Sequence, residues 1–178
     1  EAVLAARLDQ LGAAERALLE HAAVEGRSFR RGALAALGEE ELTAPLTALV
    51  RRQLIHPERS PGDDGFRFRH LLIRDAAYDA LPKARRADLH EGLAGWLEEH
   101  APRVEHDELL GYHLEQAVRY RMELGRPPDG ELATAARERL TAAGRRALRR
   151  LDFGTAVGFL ERAGDLVPPG GLDLALEV

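Results

Sequence analysis

The chain has 178 residues, 45% hydrophobic and 31% charged, which is enough for one ordinary domain or two small ones. A chain of this size hides roughly 70% of the surface its unfolded form exposes, so it needs neither disulfides nor a structural metal to fold. The absence of cysteine excludes thiolate zinc sites, iron–sulfur clusters, redox pairs and a cysteine nucleophile together. A net charge of −5 argues mildly against a dedicated nucleic-acid binder, although a local basic patch remains compatible with it.

No apolar run approaches the roughly 20 residues needed to cross a bilayer, and no basic stretch leads into an apolar signal core. A soluble, cytoplasmic protein is expected. The only methionine is Met122, and Val178 falls inside what reads as an amphipathic run, so the sequence is expected to be a piece of something larger.

Helical periodicity, with apolar residues at i, i+3, i+4 and i+7, runs through nearly every segment. The first helix is predicted from Ala13 to Val24, with Leu11, Leu18, Leu19, Ala22 and Ala23 inward and Gly26 just past its end. Ser28 is expected to cap a second helix that carries Phe29, Ala33, Leu34 and Leu37 and stops at Gly38. A third spans about Glu41 to Gln53 and buries Leu42, Leu46, Leu49 and Val50. Pro45 fits only in its first turn, where a missing N–H has no helical partner to lose.

Leu54-Ile55-His56, a loop dense in turn formers from Ser60 to Gly65, and Phe66-Arg67-Phe68-Arg69 read as a β-hairpin with period-two alternation. Three short helices followed by a two-stranded hairpin describe a winged helix over residues 1–81. Helices follow at Leu71–Leu81, at a segment carrying Leu89, Leu93, Trp96 and Leu97 that ends at Pro102, and at about Asp107–Met122. Residues 82–128 form a helical linker, closed by the breaker Gly125-Arg126-Pro127-Pro128-Asp129-Gly130.

Residues 129–178 hold two further helices, at about 131–150 and 153–166, in the register of a tetratricopeptide repeat. A unit of about 34 residues wants a small residue at its eighth position, Ala at the twentieth, a large apolar residue at the twenty-fourth, Ala at the twenty-seventh and Pro at the thirty-second. Started at Arg137, it finds Gly144, Ala156, Leu160, Ala163 and Pro168. Small residues let two antiparallel helices approach closely, and the proline ends the second. Leu172 to Val178 would open a further, truncated repeat. The expected fold class is therefore mainly α, a winged helix with a small hairpin followed by repeat-like helical hairpins.

Catalytic chemistry is sparse. There is no P-loop motif, and the only serines, Ser28 and Ser60, lie in no nucleophile elbow. His100, His106 and His113, with Asp107 and Glu108, lack metal-ligand spacing and read as surface or packing residues. The segment is expected to be neither an enzyme nor a metal protein. Direct DNA binding is the obvious alternative for a winged helix. Arg51, Arg52, Arg67 and Arg69 would be its contacts, but Glu39, Glu40 and Glu41 at the start of the reading helix oppose it. A second cluster, Arg145, Arg146, Arg149 and Arg150, suits the C-terminal end of a helix dipole.

The stretch from Phe66 to Leu81, with Lys83 to His90 and Trp96-Leu97-Glu98, resembles the region just after the ATPase core in bacterial STAND signal-transduction ATPases, which include large LuxR-type transcription regulators and cyclase-linked ATPases. The resemblance implies a winged helix that packs on the nucleotide-binding core of the same chain and helps bury ADP, followed by tetratricopeptide helices that sense a protein or small-molecule signal. ATP or ADP with Mg would belong to the whole protein and not to this segment. Related plant switches carry a Met-His-Asp triplet after the hairpin, and Arg69-His70-Leu71 is similar to it in place. By that resemblance His70, with Arg69 beside it, is the candidate nucleotide sensor, while Leu71 departs from the acidic residue of the triplet. A histidine that merely caps the helix is the competing reading. Tyr78 and Trp96 are read as core.

Overall fold

The computed structural model describes residues 8, 10–38, 41–60, 63–100, 106–126 and 130–167. The protein is mainly helical, with one small three-stranded antiparallel sheet. No described helix is long and apolar enough to cross a membrane. Residue contacts divide the chain into two compact units, Glu1–Trp96 and Leu97–Val178, with the division inside a helix.

The first unit begins with α1 (Ala13–Glu25). Glu15 accepts the Gly12 N–H at 3.2 Å, and Gly26, at φ 138°, ends the helix in a conformation that side chains rarely adopt. The chain then forms β1 (Ser28–Arg30), not the predicted helix start. The correction has a tertiary cause: Phe29 pairs with Phe66 across the sheet and packs on Phe68, with ring centroids 5.8 and 5.3 Å away. Glu25 holds the strand from below, accepting from the Arg30 N–H at 2.9 Å and from its Nε at 2.7 Å.

The short α2 (Arg31–Ala36) buries Ala33 and Leu34, and α3 (Thr43–Arg51) buries Pro45, Leu46 and Leu49. Pro45 stands in the first turn of α3 as expected. The Glu41 carboxylate accepts from the Thr43 and Ala44 N–H groups at 3.0 and 3.4 Å, satisfying donors that a helix start leaves open. The predicted hairpin forms as β2 (Ile55–Ser60) and β3 (Asp63–Phe68), but Ser60 and Asp63 to Gly65, expected in its loop, are paired in the strands, Ser60 with Asp63 and Glu58 with Gly65; the strand order is β1-β3-β2. Ile55 pairs with Phe68 on the face toward the core, while His56, Arg67 and Ser28 form one row on the outer face. Next come α4 (Leu71–Ala80) and α5 (Lys83–His100), whose Leu89, Leu93 and Leu97 are buried.

The second unit contains α6 (His106–Glu123), α7 (Gly130–Arg149) and α8 (Phe153–Asp165). Its core is built of Ala117, Val118, Leu132, Ala133, Ala136, Leu140, Ala163 and Leu166. Asp152 caps α8 by accepting from the Thr155 N–H at 3.2 Å; hydrogen bonds from Thr155, hydroxyl first and amide second, hold its carboxyl below the ordinary range. Close approach is arranged by glycine. A Cβ on Gly144 would lie 2.9 Å from Leu160 Cγ and 3.4 Å from the Ala156 carbonyl, and one on Gly111 would lie 3.0 Å from Leu140 Cδ2.

Candidate functional site

His70 and Arg69 lie at the junction of β3 and α4. The end of the strand is pinned on both sides: the Phe68 N–H donates to the Arg27 carbonyl at 3.0 Å, and the Arg69 N–H to the Leu54 carbonyl at 2.9 Å. His70 occupies the N-cap position with extended backbone, φ −135° and ψ 140°. Its carbonyl accepts from Ile73, but its side chain makes no capping bond. The competing reading, a histidine used as a cap, is therefore not what the geometry shows. Both the His70 imidazole and the Arg69 guanidinium are exposed, with no hydrogen bond or ion pair among the described residues.

The residues that follow are committed to structure. Arg74 Nε donates to the Ala23 carbonyl at 2.9 Å, its NH1 reaches Asp75 at 3.1 Å, and its guanidinium lies 4.8 Å from the Tyr78 ring centre. Arg86 lies over the same ring at 4.5 Å and donates to the Leu81 carbonyl. The Tyr78 hydroxyl hydrogen-bonds the fully buried His90 Nε2 at 2.8 Å. Tyr78 and Trp96, both read as core, are only half-buried, and the polar end of Tyr78 finds a partner inside. Trp96 packs on Gly32 and carries Arg30 over its ring at 4.5 Å.

A second buried histidine, His21 on α1, accepts from Arg85 at 3.0 Å. Burial, seconded by the positive charge of Arg85, lowers its pKa to about 4, so it is neutral at physiological pH. Sequence reasoning passed over both His21 and His90, since neither belongs to a spaced motif.

The four arginines of the DNA alternative part company. Arg52 faces Glu15 at 3.5 Å, and Arg67 pairs with Glu58 and donates to the Ser28 hydroxyl at 3.1 Å. Arg51 and Arg69 are exposed and unpaired among the described residues. An open groove of about 680 Å³ runs along the outer face of α3, with Glu15 and Glu41 among its walls as well as Arg51 and Arg52. A groove of mixed sign, entered past a capping carboxylate, is poorly suited to a phosphate backbone. Glu39 and Glu40 lie outside the described residues.

In the second unit the histidines and acids of the metal search have other duties. His113 is fully buried, His100 is exposed, and the side chain of His106 lies outside the described residues. Asp107 pairs with Arg139 and Arg146, and Glu108 with Arg150 at 3.5 Å. Part of the basic cluster on α7 is therefore neutralised by the first turn of α6, whereas Arg145 and Arg149 are exposed. Glu115, only 1% exposed, accepts from Arg162 Nε at 2.9 Å and from Arg119 at 2.9 Å. Of the repeat register, Gly144, Ala156 and Leu160 meet across α7 and α8, Ala163 is buried, and Pro168 lies outside the described residues.

No family model matches the chain, and no solved structure matches it. It is similar to an uncharacterized protein of Rhizobium meliloti (strain 1021), with 33% identity over 132 residues. That match covers 66% of this chain and 12% of the relative, so the chain spans a small fraction of the protein it resembles.

Proposed function

We propose that the chain is a regulatory segment of a STAND-type signal-transduction ATPase. Its first unit is a winged helix serving as a nucleotide-dependent lid on the ATPase core, and its later helices are a tetratricopeptide-like surface that receives a protein or small-molecule signal in transcription regulation or related signalling. The observation that carries the reading is His70: an imidazole at a helix start, exposed, unused as a cap and without a side-chain partner among the described residues. A sensor of nucleotide held by another domain has to be left free in this way, and a histidine beside helix N–H groups is suited to an anion. The element order α1-β1-α2-α3-β2-β3, with β3 central, supports the winged-helix reading, and the contact of Gly144 with Leu160 supports the repeat reading. Similarity to a small part of a much longer protein fits a segment.

Hydrolysis would belong to the core, where ATP or ADP is held with Mg. The lid contributes His70, with Arg69 beside it, toward the phosphates, and it regulates only if it docks on the ADP-loaded and ATP-loaded core with different free energy. In a protein containing the core, His70→Ala should speed ADP release about tenfold, toward the lower end of ordinary coupling effects. Unchanged release would remove the sensor role. A DNA-binding winged helix with a helical oligomerisation tail is the alternative, and tight, steeply salt-dependent binding in a mobility-shift titration would favour it.

A further inference from the structure

Every other arginine of the first unit whose side chain is described donates to a carboxylate, carbonyl, hydroxyl or imidazole. Arg27, Arg51 and Arg69 are the exceptions: exposed, and without a hydrogen bond, ion pair or ring contact among the described residues. They are not scattered. Arg27 precedes β1, Arg69 follows β3, and Arg51 ends α3 just before β2; because both pairings are antiparallel, all three border the same end of the sheet. Backbone bonds fix the arrangement: Phe68 N–H to the Arg27 carbonyl, Arg69 N–H to the Leu54 carbonyl, and Leu54 N–H to the Leu49 carbonyl at 3.0 Å. His70 adds an exposed imidazole without a side-chain partner among the described residues. Beside it Leu71 and Leu72 are 54% and 60% exposed, an unusual fate for two adjacent large apolar residues.

We propose that this end of the first unit is a docking surface for an acidic protein partner, whose carboxylates face Arg27 and Arg51, outside the sensing pair Arg69 and His70, and whose apolar side chains cover Leu71 and Leu72. Two exposed leucines within a rim of arginine have the make-up of a protein interface, where Arg is enriched and an apolar centre excludes water. A nucleic acid satisfies the arginines but leaves Leu71 and Leu72 against phosphate, whereas a protein partner can cover them. The surface does not depend on nucleotide sensing, and Arg27 and Arg51 stand outside the sensing pair.

The test is an NMR titration of the 178-residue chain at low salt with a short synthetic peptide of glutamates around a leucine pair. A peptide with serines in place of the leucines and a DNA duplex of matched charge serve as comparisons. Saturable shifts confined to Arg27, Arg51 and residues 69–72 are expected. The double variant Arg27→Gln, Arg51→Gln should weaken the peptide about tenfold, as removal of rim and anchor charges does, and the serine peptide should bind more weakly to the unaltered chain. Both arginines are exposed, so the variant retains the fold; Leu72→Ser provides a second, charge-neutral probe. Absence of saturable shifts, indifference to both variants, or tighter binding of the duplex at equal salt would each overturn the proposal. None of these outcomes bears on ADP release by His70→Ala, so the two readings fail separately.

Discussion

In the first unit Phe29 lies against Phe66 and Phe68 while Leu18, Leu19, Leu34, Leu49 and Ile55 close around them; in the second, alanines and glycines line the seam between α7 and its neighbours. The contrast extends to charge. The first unit buries a neutral His21 against Arg85, whereas the second buries the carboxylate of Glu115 between Arg119 and Arg162. A sheet needs bulk to fill the space between it and the helices that cover it, while packed helices gain most by letting backbones approach. The first unit should therefore suffer most from loss of volume and the second from its addition.

The largest expected effect tests the first half of that statement. Leu18→Ala, at a residue with no exposed surface, should cost about 3 kcal/mol in urea unfolding, from the lost transfer energy and the cavity left behind. The single Trp96, in the first unit, reports the transition by fluorescence. A cost under about 1 kcal/mol would mean that the core collapses onto the gap, and that bulk is not what holds this unit.

Gly144→Val tests the other half, at about 2 kcal/mol, the usual cost of overpacking. Its Cβ would strike Leu160 and the Ala156 carbonyl, so Leu160→Ala should recover part of the loss in a double-mutant cycle followed by circular dichroism. Additive losses would show that the seam is not set by this contact.

An effect of similar size concerns pH. His21 has a folded pKa of about 4 against about 6.5 unfolded, so between these values the unfolded chain binds the extra proton. Stability is then fully present above pH 6.5 and is lost as pH falls toward 4, by about 2 kcal/mol once partial screening by solvent is allowed for. Glu20, whose pKa is raised by burial, acts with the opposite sign, and the comparison is therefore made against His21→Asn. That variant should show a shallower fall in urea midpoint from pH 7 to 4.5; parallel curves would assign the acid sensitivity to other groups.

Much of this organisation was legible beforehand because it is local. The apolar spacing of α1, α3, α7 and α8, the stop at Gly26, the position of Pro45 and the alternation of Phe66-Arg67-Phe68 depend on neighbours a few residues away. β1 was not legible: three residues carry no period, and Phe29 takes its conformation from partners in a distant strand. The candidate site divides in the same way. His70 could be singled out from the sequence, but its exposure and its unused capping capacity could not.

The sequence by itself determined most of the helical segments, the presence of a hairpin after α3, and that glycine and alanine fall at the spacing of a close helical seam, since each follows from steric and hydrophobic periodicity along one element. Only the tertiary structure decided which charges are free. Arg52, Arg67 and Arg146 find carboxylates on other elements, whereas Arg27, Arg51 and Arg69 border one end of the sheet without a hydrogen bond or ion pair from their side chains among the described residues. An ion pair depends on distance in space, and composition, which supplies both partners, carries no record of which pairs the fold brings within reach.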